Sequence, residues 1–131
     1  MSTLDNALRA LLKMNQELIK SYEKTNSDGT WIVEKYRDGT LIMRLKGLKT
    51  VTLNYVANAP FYFGTYILTF PEKSITPALV NCTVFDNNGA TFQYTTTAKD
   101  NMSSAHMIFC RGSAATALRT QHNIEIIGTW K

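Results

Sequence analysis

The sequence predicts a mainly β chain: an N-terminal helix with coiled-coil spacing, followed by an antiparallel β-sandwich or barrel-like domain. Three observations carry this. Leu4, Leu8, Leu11, Asn15, Leu18, Tyr22 and Thr25 recur at alternating steps of four and three, the spacing of a helical seam. Beyond Gly29 the apolar period drops to two, the signature of half-buried strands. From there on, Gly, Asn, Asp and Pro signals punctuate the chain at roughly 8–12-residue intervals, as in all-β folds. One helix followed only by strands excludes an alternating α/β architecture. The chain is expected to divide into residues 1–28, an oligomerising helix with its linker, and residues 29–131, the β domain.

The helix is expected over residues 2–25. Ser2 can cap it, with Asp5 three residues on, and no Gly or Pro interrupts the stretch. Leu4, Leu11, Leu18 and Thr25 then take d positions, with Leu8, Asn15 and Tyr22 at a. A second register, with Ala7, Met14 and Ser21 at d, shares the same leucines. Such a helix would be about 35 Å long at 1.5 Å per residue and marginal in isolation. Its stripe has two candidate partners, the chain's own β domain or sister helices. A lone Asn at an a position, as at Asn15, commonly fixes register in a coiled coil.

A polar break at Thr25-Asn26-Ser27-Asp28-Gly29 follows. Strands are predicted at 30–36, 41–47, 50–55, 61–70, 78–85, 90–97, 105–112 and 122–130. Asp38-Gly39 and Asp86-Asn87-Asn88-Gly89 supply hairpin turns. Pro60, Pro71 and Pro77 fall at strand ends, where proline harms a ladder least.

Composition narrows the function. Residues 1–49 hold 9 of the 14 Lys/Arg and 6 of the 10 Asp/Glu, so the remainder is sparsely charged and nearly neutral. Its polarity comes from 13 Thr and 7 Asn. A net charge of +4 without a basic stripe argues against nucleic acid as a partner. No apolar run is long enough for membrane insertion, and Asp5, Arg9 and Lys13 interrupt any signal-peptide core; synthesis in a cytoplasm is expected. Cys82 and Cys110 read as two buried thiols rather than a disulfide framework or a zinc motif. Neither a metal nor another cofactor is expected. Ser103, Ser104, His106 and Asp100 cluster in sequence without the spacing of a hydrolytic triad, and no carboxylate pair is set up for glycoside cleavage. The expectation is a non-enzymatic protein.

Aromatic residues are the more informative group. Phe61, Tyr62, Phe63 and Tyr66 crowd one strand, with Tyr36, Tyr55 and Tyr94 elsewhere. Strand alternation should place about half in the core. The others, with Trp31 and Trp130, are candidates for carbohydrate-stacking faces, the ordinary alternative being cross-strand pairs.

The segment KYRDGTLIMRLKG (35–47) resembles the K-Y-x-D-G-T-L-I-x-x-x-G segment of bacteriophage tail-fibre and receptor-binding proteins. TYILTFPEKSITPALVNCTVF (65–85) is similar to their next element, and EIIGTWK (125–131) resembles their closing strand. Arg44-Leu45-Lys46 departs from the Gln-Trp usual before the glycine. The resemblance implies a compact C-terminal β domain at the tip of a trimeric fibre, with the helix as a coiled-coil stalk. It implies a homotrimer in a virion, bound to other virion proteins through the N-terminal helix and to a host surface glycan or related polymer. A second reading is a structural virion component, such as a head fibre, decoration or collar protein, without receptor duty.

Hairpin tips far from the helix are the expected ligand site, since binding residues concentrate on such loops. By composition the candidates are Asn87 and Asn88, Asp100 and Asn101, and Arg119 and His122, with Tyr94 as a stacking face. The alternative is that these are solvated turns chosen for backbone geometry.

Overall fold

A computed structural model describes residues 3–15, 17–54, 56–58, 61–85, 92–97, 101–111 and 117–131. The described residues form one helix, α1 (Thr3–Asn15), and ten strands: β1 (Leu18–Asn26), β2 (Gly29–Tyr36), β3 (Thr40–Leu45), β4 (Lys49–Asn54), β5 (Val56–Asn58), β6 (Phe61–Thr69), β7 (Leu79–Phe85), β8 (Phe92–Thr97), β9 (Ser104–Arg111) and β10 (Ala117–Thr129). All pairings are antiparallel. One sheet runs β1-β2-β3-β10-β4, with β7 on the other edge of β10; the second runs β5-β6-β9-β8. The mainly β, antiparallel architecture expected from the sequence is adopted, and of the two expected forms, sandwich or barrel-like, the described strands take the two-sheet one.

β10 organises the first sheet. Along one edge, Glu125–Thr129 pairs with β3 and Ala117–His122 with β4. Along the other, Gln121–Ile127 pairs with β7. A strand of 13 residues can serve three partners because its two edges are independent ladders. β4 and β5 carry the chain from one sheet to the other.

The core is the set of inward positions that period-two alternation selects. Trp31 and Val33 on β2, Leu41, Met43 and Leu45 on β3, and Ile124 and Ile126 on β10 face Leu68 on β6 and Ala105, Met107 and Phe109 on β9. Full burial of such a side chain is worth about 1.5–3 kcal/mol. Trp31 is completely buried, which removes it from the aromatics available for stacking on a ligand. Cys82 and Cys110 are thiols on different sheets, half-buried rather than buried.

The helix is shorter than its leucine spacing predicts. It ends at Asn15, and residues 18–25, expected to be helical, lie in β1. Leu18 and Tyr22 therefore leave the proposed seam. The reason is tertiary. β1 pairs with β2 across the two-residue turn Ser27-Asp28. Asn26 Oδ1 accepts hydrogen bonds from Asp28 N and Trp31 Nε1, both at 2.9 Å, and the Tyr22 hydroxyl donates to Glu72 Oε1 at 2.5 Å. A helix through these residues would forfeit all of this and expose the edge of β2. The turn is pinned from outside as well. Asp28 accepts from Thr69 N at 2.8 Å and pairs with Lys49 Nζ at 2.8 Å, the Asp28 carboxylate being only 7% exposed.

Candidate functional site

Of the predicted ligand residues, Tyr94, Asn101, Arg119 and His122 fall within the described segments. Asn87, Asn88 and Asp100 lie outside the described residues. Tyr94 sits within β8 and Arg119 within β10. Three expectations are overturned by the fold. The segment Arg119–His122 is not a loop, because β10 begins at Ala117 and pairs through it with β4. His122 is fully buried: on a strand whose alternate positions Thr120, His122, Ile124 and Ile126 all point inward, it belongs to the core. Asn101 is likewise buried, with φ 48° and its main-chain carbonyl accepting from Ala78 N at 2.8 Å. It shapes a loop instead of presenting an amide to solvent.

His122 shows why it is interior. Its Nδ1 lies 3.0 Å from the Tyr66 hydroxyl and its Nε2 lies 2.6 Å from Thr120 Oγ1. The ring packs on Phe109 at 4.6 Å between centroids. A neutral imidazole satisfies both hydroxyls, donating through one nitrogen and accepting through the other. Burial, with Lys49 as a secondary cause, pushes its pKa down to about 4. Burial also raises the Tyr66 phenol well above its ordinary value. The cluster is a satisfied polar island in the core.

A recognisable site lies instead at the β2–β3 hairpin. Tyr36, Asp38, Thr40 and Ile42 line an open cleft of about 320 Å³. Glu34 and Ile42 are directly opposed in the ladder, so by alternation Tyr36, Thr40 and Ile42 share the outer face of the first sheet. The Tyr36 hydroxyl donates to Glu34 Oε2 at 3.2 Å. The Arg44 guanidinium binds Glu34 and, through Nε, Glu125 Oε2 at 2.9 Å. Partial burial and the neighbouring Glu34 charge raise the Tyr36 phenol, so it stays protonated.

The turn at the mouth of the cleft is held by main-chain bonds. Gly39 N donates to Tyr36 O at 3.0 Å, Trp130 N to Gly39 O at 3.0 Å and Arg37 N to Glu17 O at 2.9 Å. The Trp130 indole donates to Tyr36 O at 2.7 Å. Gly39 has φ +95°, and a Cβ there would meet Lys131 O at 3.0 Å, so the position needs glycine twice over. Asp38 Oδ1 accepts from Thr40 N at 2.9 Å. That bond is the main reason its carboxyl sits below the usual range, with Lys131 adding to it. Donors and acceptors over an apolar floor suit noncovalent recognition. Among the described residues no cluster of His, Cys, Asp or Glu could hold a metal ion, and no helix is long and apolar enough to cross a membrane.

The cleft went unread in the sequence although its parts were visible. The signal is a Tyr two residues before an Asp-Gly turn with Thr and Ile two apart after it, a pattern that puts four side chains on one side of a hairpin.

A second feature is the helix surface. Leu4, Leu8 and Leu11 are 69%, 50% and 56% exposed, and their i, i+4, i+7 spacing puts them on one face. This stripe is not spent on the β domain of the same chain.

No protein-family model matches the chain, and no curated protein does. Among solved structures it is similar to a C-terminal fragment of the P. aeruginosa R1 pyocin fibre, with a TM-score of 0.48 and 15% identity over 98% of this chain and 32% of that one. It is similar also to an N-truncated R1-type pyocin tail fibre, with the same TM-score and identity over 98% of both chains. The chain thus spans about a third of the first of these.

Proposed function

We propose that this chain is a phage virion fibre protein that assembles as a homotrimer through α1 and adheres to a host cell-surface glycan. The observation that carries the reading is the exposed leucine stripe. The β domain already has a complete core of its own, from Trp31 to Ile126, and leaves Leu4, Leu8 and Leu11 in solvent. A helix of 13 residues is marginal alone. Packed in parallel with two copies, each buried leucine contributes about 1.5–3 kcal/mol. The tail-fibre resemblance of residues 35–47, 65–85 and 125–131 supplies the context, and the far end of the helix is where other virion proteins would attach.

Trimerisation gives weak glycan sites a use. Three sites on one rigid particle raise avidity by roughly 100-fold or more without any new contact. A Thr- and Asn-rich, charge-poor surface suits a polar, uncharged ligand.

The test has two arms. Light scattering at micromolar concentration should return the mass of a trimer, and a monomer would overturn the assembly. Fluorescently labelled protein should bind intact cells of a susceptible bacterium and be displaced by their purified surface polysaccharide. A trimer that adheres to no cell would mark a structural virion component instead.

A further inference from the structure

We infer that the cleft beneath the β2–β3 hairpin is a subsite for one neutral pyranose unit, seated on Tyr36 and Ile42 and hydrogen-bonded by Asp38 and Thr40. The inference rests on the adhesin reading and gives it a location.

Size limits the occupant. At about 320 Å³ the cleft is at the bottom of the roughly 300–1,000 Å³ range of ligand sites, room for one ring and not for a longer segment. The open mouth lets the rest of a polymer run on outside.

Chemistry selects the class. A pyranose has an apolar C–H face and an edge of hydroxyls. The ring of Tyr36 and the aliphatic side chain of Ile42 match the first. Asp38 matches the second: its carboxylate has about four lone-pair sites, and Thr40 N takes one of them. Hydroxyl-to-carboxylate bonds are stronger than neutral ones. Glu34 and Glu125 are already engaged by Arg44 and Glu34 also by Tyr36, so among the described residues beside the cleft Asp38 is the carboxylate left to meet a ligand. Its negative charge, near Lys131 but in no ion pair among the described residues, disfavours an acidic sugar.

Preorganisation makes a small site usable. Chain segments distant in sequence, at Glu17 and Trp130, lock the hairpin through hydrogen bonds of 2.7–3.0 Å. Binding then requires little ordering of the turn, the cost that otherwise erases weak affinity.

The experiment uses the full chain with isotope-labelled Ile methyl and Tyr ring groups, titrated with methyl α-D-glucopyranoside, methyl α-D-mannopyranoside, methyl β-D-galactopyranoside and N-acetylneuraminic acid. At least one neutral glycoside should shift the Ile42 methyl and Tyr36 ring signals with millimolar affinity. Asp38→Asn keeps the acceptor for Thr40 N but loses the charge, and Tyr36→Leu loses the ring. Each should weaken binding about tenfold or more at an unchanged melting temperature. If Tyr36→Leu unfolds, Tyr36→Phe must still bind and Asp38→Asn decides alone. No shift with any neutral glycoside, or undiminished binding by Asp38→Asn, overturns the subsite. Tighter binding of N-acetylneuraminic acid at Ile42 overturns the neutral class. Cell adhesion measured on the same proteins separates the two readings. Adhesion that survives loss of the cleft leaves the adhesin and removes this site, whereas glycoside binding without any cell adhesion leaves the site and removes the adhesin.

Discussion

Gly128→Ala should be among the most destabilising single-methyl additions in this protein. Gly128 lies on β10, inside the EIIGTWK segment, and faces the loop between β6 and β7. A Cβ there would stand 2.4 Å from Ser74 Oγ, 2.9 Å from Ser74 Cβ and 3.2 Å from Ala78 Cβ. The first two distances are not tolerable, so Ser74 must move. Ser74 is fully buried, and its hydroxyl is committed: it donates to Thr76 O at 2.6 Å and accepts from Thr129 N at 3.0 Å. Displacing it leaves buried polar groups unsatisfied, at about 1–3 kcal/mol each, on top of about 1–3 kcal/mol for overpacking. A loss of about 3–5 kcal/mol follows, or a fall in melting temperature of roughly 10–15 °C for a chain of this size. Urea denaturation at one fixed protein concentration reads it, because oligomer stability depends on concentration. The double variant Ser74→Gly with Gly128→Ala supplies the control. It removes the two closest atoms and leaves only the tolerable Ala78 contact, so it should be clearly more stable than the sum of the single changes. A Gly128→Ala protein within about 0.5 kcal/mol of the parent, or strictly additive effects, would refute the packing argument.

Three further outcomes are expected. Replacing both Leu8 and Leu11 with Asp should convert a trimer to monomers in light scattering while the β-sheet circular dichroism persists; a double variant that stays trimeric would assign assembly to the β domains. Because His122 has its pKa pushed from 6.5 to about 4 by burial, the unfolded chain binds more protons between those values, so stability is full above pH 6.5 and falls as pH drops toward 4, by at most about 3 kcal/mol; an NMR titration placing the His122 ring near 6.5 would contradict this. Asp28→Ala strips the partner from partly buried Lys49 and the acceptor from Thr69 N, and should cost about 3–5 kcal/mol in urea unfolding, whereas a loss below about 1 kcal/mol would mean the pair behaves as a solvent-screened one.

The sequence by itself determined the strands that carry a strict period of two. The strands at 29–36, 40–45, 79–85 and 104–111 were all legible, because alternation along a pleated backbone is a local property that each segment states alone. It also determined the Asp38-Gly39 turn, since a left-handed residue there calls for glycine. Tertiary structure decided the rest. Leu18 and Tyr22 fit a helical seam as well as a strand, and no Gly or Pro separates them from Leu11; only Trp31, Glu72 and the edge of β2, met after folding, select the strand. His122 reads as an exposed donor until Tyr66, Thr120 and Phe109 close around it. The cleft is split between the two sources. Its four side chains lie within seven residues and share a face by local geometry, but the turn that shapes it is held by Trp130 and Glu17. Contacts across such separations are made by the packed fold, and no local pattern announces them.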